Sequence, residues 1–179
     1  MHKRNINLGL WFIVSLWLPA AAAEEDNLYF SGSLVNEPCV LAAEDEQIEL
    51  DFKSVINKDL YLNGRTRGQP ITLRLQNCQL GTGKSAVNIT FSGNGAESID
   101  PPGLLVLQSA DVQGLLVGLE TVDGKPLVLN KTHDMGTFIK GSNEINFNAY
   151  LQGETAALAD KAIGVGSFYA TLNFMLGYE

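Results

Sequence analysis

Residues 166–178 read GSFYATLNFMLGY, and every second residue of this stretch is apolar or small. That row consists of Gly166, Phe168, Ala170, Leu172, Phe174, Leu176 and Tyr178. Because successive side chains of a strand point to opposite faces, the pattern predicts a strand, from about Val165 to Tyr178, with one row against a core. Alternation alone leaves open whether this is the ordinary last strand of a closed sandwich or an edge that takes a partner.

Shorter alternating segments precede this strand, and Gly, Asn, Asp and Pro separate them. Seven or more short strands with such punctuation are typical of an antiparallel β-sandwich of immunoglobulin type. The predicted strands include Ile48–Phe52, Ile71–Leu75, Val87–Phe91, Leu104–Leu107, Leu115–Val122 and Ile145–Leu151. Residues 154–161 are compatible with either a helical turn or a loop.

The amino terminus has the pattern of a secretory signal peptide at residues 1–23. A basic start with Lys3 and Arg4 precedes an apolar run that Pro19 ends, and three alanines supply a cleavage pattern after Ala23. The apolar run is too short for a membrane-spanning stop-transfer helix. The sequence therefore predicts export.

Cleavage would leave 179 − 23 = 156 residues, which suits one domain. Those residues hold 10 basic and 20 acidic side chains, a net charge of −10. This balance argues against nucleic acid and against anionic membrane surfaces as partners. Cys39 and Cys78 form an even pair in an exported chain, which predicts a disulfide.

A second alternating segment follows the cleavage site. It places Leu28, Phe30, Gly32 and Leu34 on one face. The segment is either the domain's own first strand or a detached strand meant for a neighbour. Gly32 would weaken packing within the chain's own sheet, and it suits a place where another backbone comes close.

Enzymatic and metal chemistry find little support in the sequence. The chain after residue 23 has one histidine, His133, and it lacks a nucleophile elbow. Residues 81–85 end like a phosphate-binding loop, but Cys78 stands where that motif requires its first glycine. We therefore predict no catalytic residue, no metal site and no cofactor.

The chain resembles subunits of chaperone–usher pili, particularly the minor tip and adaptor subunits of P-type fimbriae. Gly166 and Tyr178 match the glycine fourteenth from the end and the penultimate tyrosine of that family's carboxyl-terminal signature. Residues 27–35 look like its amino-terminal extension, glycine included. Cys39 and Cys78 match its disulfide, and residues 75–78 resemble the segment before its second cysteine.

The resemblance implies an all-β, incomplete immunoglobulin-like sandwich that a partner's donor strand completes. It divides the chain into a signal peptide (1–23), a donor-strand extension (24–35) and a pilin domain (36–179). It also implies a periplasmic chaperone, an outer-membrane usher and neighbouring pilus subunits as partners, and export through the periplasm to a cell-surface fimbrium. Residues 166–178 would be the groove edge that chaperone and donor strand share, with the carboxylate of Glu179 held by the chaperone.

Three other functions compete with this interpretation. A secreted carbohydrate-binding sandwich would work as a closed monomer, but such modules usually present tryptophans, and residues 24–179 have none. A tip adhesin needs an additional lectin domain, for which 156 residues leave no room. A terminator subunit fits less well because the amino-terminal extension is present.

Overall fold

The structure is a computed structural model, and it describes residues 38–79 and 86–178. The predicted signal peptide at residues 1–23 lies outside the described residues. So do the extension at residues 24–35, the phosphate-loop-like residues 81–85, and Glu179. The predictions for these segments therefore remain predictions.

Within the described ranges, nine strands and two short helices form the fold. The strands are β1 Val40–Leu41, β2 Gln69–Cys78, β3 Ala86–Gly93, β4 Glu97–Ile99, β5 Pro102–Val106, β6 Leu115–Thr121, β7 Thr132–Thr137, β8 Gly141–Gly153 and β9 Leu172–Tyr178. The helices are α1 Asn57–Asn63 and α2 Thr155–Ala159, and a 3₁₀ turn spans Ala43–Asp45.

These strands make two antiparallel sheets. The larger has the order β1-β2-β8-β6-β5-β4, and the smaller has the order β7-β3-β9. Leu73 of β2 and Ile89 of β3 are completely buried between the two sheets. The rings of Phe91 on β3 and Phe147 on β8 meet across the core with centroids 5.1 Å apart. The predicted immunoglobulin-like β-sandwich is confirmed.

The sandwich has two ends that matter for the site. At one end, called the disulfide end, Cys78 pairs with Gly141 and Tyr178 pairs with Val87. At the other, called the α1 end, helix α1 stops at Gly64, whose carbonyl oxygen accepts a hydrogen bond from the Gly153 N–H. Strand β9 therefore runs toward the disulfide end.

Two predicted strands differ from the structure. Residues 48–52 lie in neither a helix nor a strand, because no described strand lies beside them to complete a ladder. The last strand begins at Leu172 and not at Val165. Tyr169 forms an isolated bridge with Gln108, so the chain before Leu172 is guided by the β5–β6 connection.

Candidate functional site

Strand β9 is an edge strand. It pairs with β3 from Leu172 to Tyr178, opposite Gly93 and Val87 respectively. The same side continues upstream, where the Asn94 N–H donates to the Thr171 carbonyl at 3.3 Å. Among the described residues, no strand pairs with the other side of β9. The backbone of residues 168–176 is therefore placed to pair with another strand.

The apolar row of this segment is only half-buried. Its side chains pack against the core, yet none is as fully enclosed as Leu73, and the intervening Tyr169 and Met175 are 65% and 68% exposed. The half-buried residues are Phe168, Ala170, Leu172, Phe174, Leu176 and Tyr178. The row therefore lies in a place where the core is incompletely covered.

A groove of about 540 Å³ runs along the part of this row from Phe168 to Phe174. Its floor includes Leu73, Phe91 and Phe147, which belong to both sheets. Its second wall is the irregular segment 46–52, which contributes the half-buried Leu50 and Phe52. The groove thus lies between the edge of β9, with which no described strand pairs, and a segment with strand-like alternation. One further strand would fill this space.

Asp45 fixes the start of the second wall. Its buried carboxylate accepts hydrogen bonds from the Arg74 backbone N–H at 2.7 Å, from Nε at 3.0 Å and from a terminal guanidinium nitrogen at 2.6 Å. These side-chain hydrogen bonds from Arg74 hold the pKa of Asp45 below its usual value, although burial opposes the shift. Segment 46–52 therefore begins at a point that is fixed to β2.

Cys39 and Cys78 are joined in a disulfide, and both are buried. The bond ties the chain entering β1 to the end of β2, where the Gln79 N–H also donates to the Pro38 carbonyl at 2.6 Å. The predicted disulfide is confirmed. It anchors the first described residues to the sandwich directly after the predicted extension.

Gly166 lies outside β9, although the sequence placed it in the same strand. A Cβ atom at this position would lie 2.9 Å from the Asp111 Cβ, so the glycine allows the chain to pass close to the β5–β6 connection. Phe168 and Ala170 also precede the strand, but they keep its alternation and line the groove. The wall at residues 46–52 was expected as an ordinary strand, and its role at the groove was not foreseen from the sequence.

Other chemistry is sparse in the described part of the chain. Residues 38–79 and 86–178 hold no cluster of three His, Cys, Asp or Glu side chains suited to a metal ion. His133 lies in β7 with Nε2 2.8 Å from the Val128 carbonyl oxygen. No helix in these ranges has the length and apolar character needed to cross a membrane.

Comparison with known proteins identifies the family. The model of the family described as "Fimbrial protein" matches residues 28–179. The chain belongs to the fimbrial protein family. Its resemblance to subunits of chaperone–usher pili is thereby confirmed, and the chain is a fimbrial subunit that works in a fimbria at the cell surface.

Individual fimbrial relatives span the whole chain. The uncharacterized fimbrial-like protein YfcP of Escherichia coli strain K12 is 31% identical and covers 99% of each chain. The fimbrial adapter PapK of E. coli is 29% identical, covering 90% of this chain and 93% of PapK. In fold, the chain is similar to the P pilus rod subunit PapA, with a TM-score of 0.67, 23% identity, and coverage of 80% of this chain and all of PapA.

Proposed function

We propose that this fimbrial subunit polymerises by donor-strand exchange: its groove receives a strand from one neighbour, and its own residues 24–35 fill the groove of another. The observation that carries the proposal is the edge of β9 beside a 540 Å³ apolar groove, where no described strand pairs with that edge. Strand addition uses main-chain hydrogen bonds for affinity and alternate side chains for specificity. The backbone along β9 would supply the main-chain hydrogen bonds, and the groove would receive the alternate side chains.

The free energy lost through incomplete burial of the groove side chains indicates that the domain needs a partner strand. Complete burial of a Leu or Phe side chain stabilises a protein by about 1.5–3 kcal/mol, and the groove leaves Leu50, Phe168, Leu172 and Phe174 half-covered. Together they forfeit roughly 3–6 kcal/mol if half of that burial is missing. The free energy of unfolding of a whole domain is only about 5–15 kcal/mol, so a domain whose groove holds no strand is only marginally stable.

The chain's own extension has the matching pattern. Leu28, Phe30, Gly32 and Leu34 form one apolar row, with Tyr29, Ser31 and Ser33 on the other face. The row has the period of two that a strand needs to place side chains into a groove beside β9. Gly32 suits a position where the floor of the neighbour's groove comes close to the donor backbone.

The remaining assignments follow from the same mechanism. A periplasmic chaperone would cover the groove after export, and an outer-membrane usher would guide the exchange, because an uncovered edge strand promotes aggregation. The similarity to the fimbrial adapter PapK favours a minor or adaptor position for this subunit. Passage through the periplasm to the fimbria follows from the predicted signal peptide.

A peptide with the sequence of residues 24–35 tests the proposal. Added to the domain 36–179, it should raise the melting temperature by roughly 10 °C or more, since several kcal/mol of burial are restored. The matched control is the same peptide with Leu28, Phe30 and Leu34 replaced by serine, which keeps the length and the charge. A domain that melts equally high with either peptide, or with none, excludes donor-strand exchange.

A further inference from the structure

Three large apolar side chains are exposed at the α1 end. Ile56 is 59% exposed, Leu62 is 80% exposed and Val165 is 79% exposed. Ile56 and Val165 line one apolar hollow of about 160 Å³ together with the buried Leu60 of α1. Leu62 lies two residues after Leu60 on the same short helix, so it faces away from the core. We call Ile56, Leu62 and Val165 the α1-end patch.

The hollow continues the groove. Phe168 lines the 540 Å³ groove on one side and the 160 Å³ hollow on the other. A strand that lies along β9 therefore enters or leaves the groove beside the α1-end patch. Which of its ends lies there depends on its direction relative to β9.

The direction follows from the pairing preference of the fold. Every strand pair in both sheets is antiparallel. A donor strand antiparallel to β9 starts at the disulfide end and leaves the groove at the α1 end. This step rests on the proposed function, because it takes the occupant of the groove to be a donor strand.

The chain length then limits where the donating subunit can lie. Its extension would end at residue 35, and its Cys39 is already tied to its own domain by the disulfide. Only residues 36–38 lie between, and the four steps from residue 35 to Cys39 span at most about 14 Å when the chain is extended. The folded domain of the donating subunit must therefore lie directly against the α1 end of the acceptor.

We propose that the α1-end patch is an interface for the folded domain of the subunit whose extension fills the groove. The donating domain would present the surface around its own disulfide end, where Val40 is 51% exposed directly after Cys39. An apolar contact between these surfaces adds affinity and orientation to the donor strand. The contact is heterologous, so it repeats along a chain of subunits.

The test compares two donors on the same acceptor, which is the full chain without residues 1–23. One donor is the peptide of residues 24–35, and the other is a second copy of the chain. The acceptor carries Leu62→Ser with Val165→Ser, or the control Val122→Ser, which removes an equally apolar side chain that is 66% exposed at the other end of β6. Release of each donor is followed by native gel electrophoresis after dilution.

We expect the double variant to release the second copy about tenfold faster and the peptide at an unchanged rate, because only the copy brings a folded domain. Val122→Ser should change neither rate, and Val40→Ser in the donating copy should reproduce part of the effect. Equal release of the copy from wild type and double variant overturns the inference and leaves strand exchange intact. The inference is also overturned if the copy binds no better than the peptide, or if the double variant releases both donors faster. Failure of the peptide to bind at all rejects the proposed function itself.

Discussion

The carboxylate of Asp45 accepts three hydrogen bonds from Arg74, although 29 residues separate them in the chain. The pair joins the turn before the second groove wall to the centre of β2. Both Asp45 oxygens are used, and the Asp45 side chain is nearly inaccessible to solvent. The path of segment 46–52 thus depends on a charged contact outside the groove.

Asp45→Asn should lower the melting temperature by about 5 °C, because a charge-assisted contact to the guanidinium is lost. The pH dependence identifies the cause. The pKa of Asp45 is below its usual value, so its contribution is complete above the unfolded pKa of about 3.9 and disappears as pH falls through the folded pKa. The difference in melting temperature between wild type and variant should therefore shrink below about pH 4. A difference that stays constant from pH 7 to pH 3 would contradict this origin.

The two faces of β9 should respond differently to the same kind of change. Phe174 points into the groove, whereas its neighbour Met175 is 68% exposed. Phe174→Ser should weaken binding of the peptide of residues 24–35 at least tenfold, since a groove wall loses a large apolar contact. Met175→Ser, one residue away on the same strand, should leave the affinity within about twofold. Isothermal titration of the peptide measures both, and equal losses would place the donor elsewhere.

Gly32→Ile should slow polymerisation while leaving association with a chaperone unchanged, because the extension is used only in the exchange step. A bulky side chain would separate the donor backbone from the groove floor. Ser33→Ile adds the same side chain on the opposite face of the donor and should have little effect. Size-exclusion chromatography over time gives the rates, and unchanged assembly by Gly32→Ile removes this glycine from the mechanism.

Gly118 offers a test of the sandwich that does not involve the groove. It lies on β6 opposite Tyr150 of β8, and a Cβ atom at this position would overlap the Tyr150 ring. The ring is also held from outside, where the Arg65 guanidinium lies 3.9 Å from its centroid. Gly118→Ala should destabilise the domain by about 1–3 kcal/mol through this overlap. Gly118→Ala combined with Tyr150→Leu should recover part of the loss in thermal denaturation.

Most of the sandwich could be predicted from alternation, because β2, β3, β6 and β8 each carry a continuous apolar row. Helix α1 could not, since it buries only Leu60 and begins after Ile56 without a side-chain cap. Strand β7 could not either. Its sequence THDMGT has no apolar row, and the strand forms by pairing with β3. Such elements owe their structure to neighbours that are distant in the sequence.

The groove could not be predicted from the sequence either. Residues 166–178 and 48–52 each have the alternation of a strand, and the alternation was recognised in both. It says nothing about whether a strand lies beside each of them. That property depends on sheet order, which leaves the two segments facing each other across a space. The direct sequence hint was the extra alternating segment at Leu28–Leu34, and it lies outside the described residues.

The length of the groove edge along β9 has a mechanical consequence. A donor strand bonded along Phe168–Leu176 would lie parallel to the line that joins the α1 end to the disulfide end. Tension on a fibre would then act along the strand, and it would load all of the main-chain hydrogen bonds at once in shear. Separation of two subunits would require these bonds to break together, whereas a force perpendicular to β9 would open them one at a time. The joint would thus resist pulling far better than peeling.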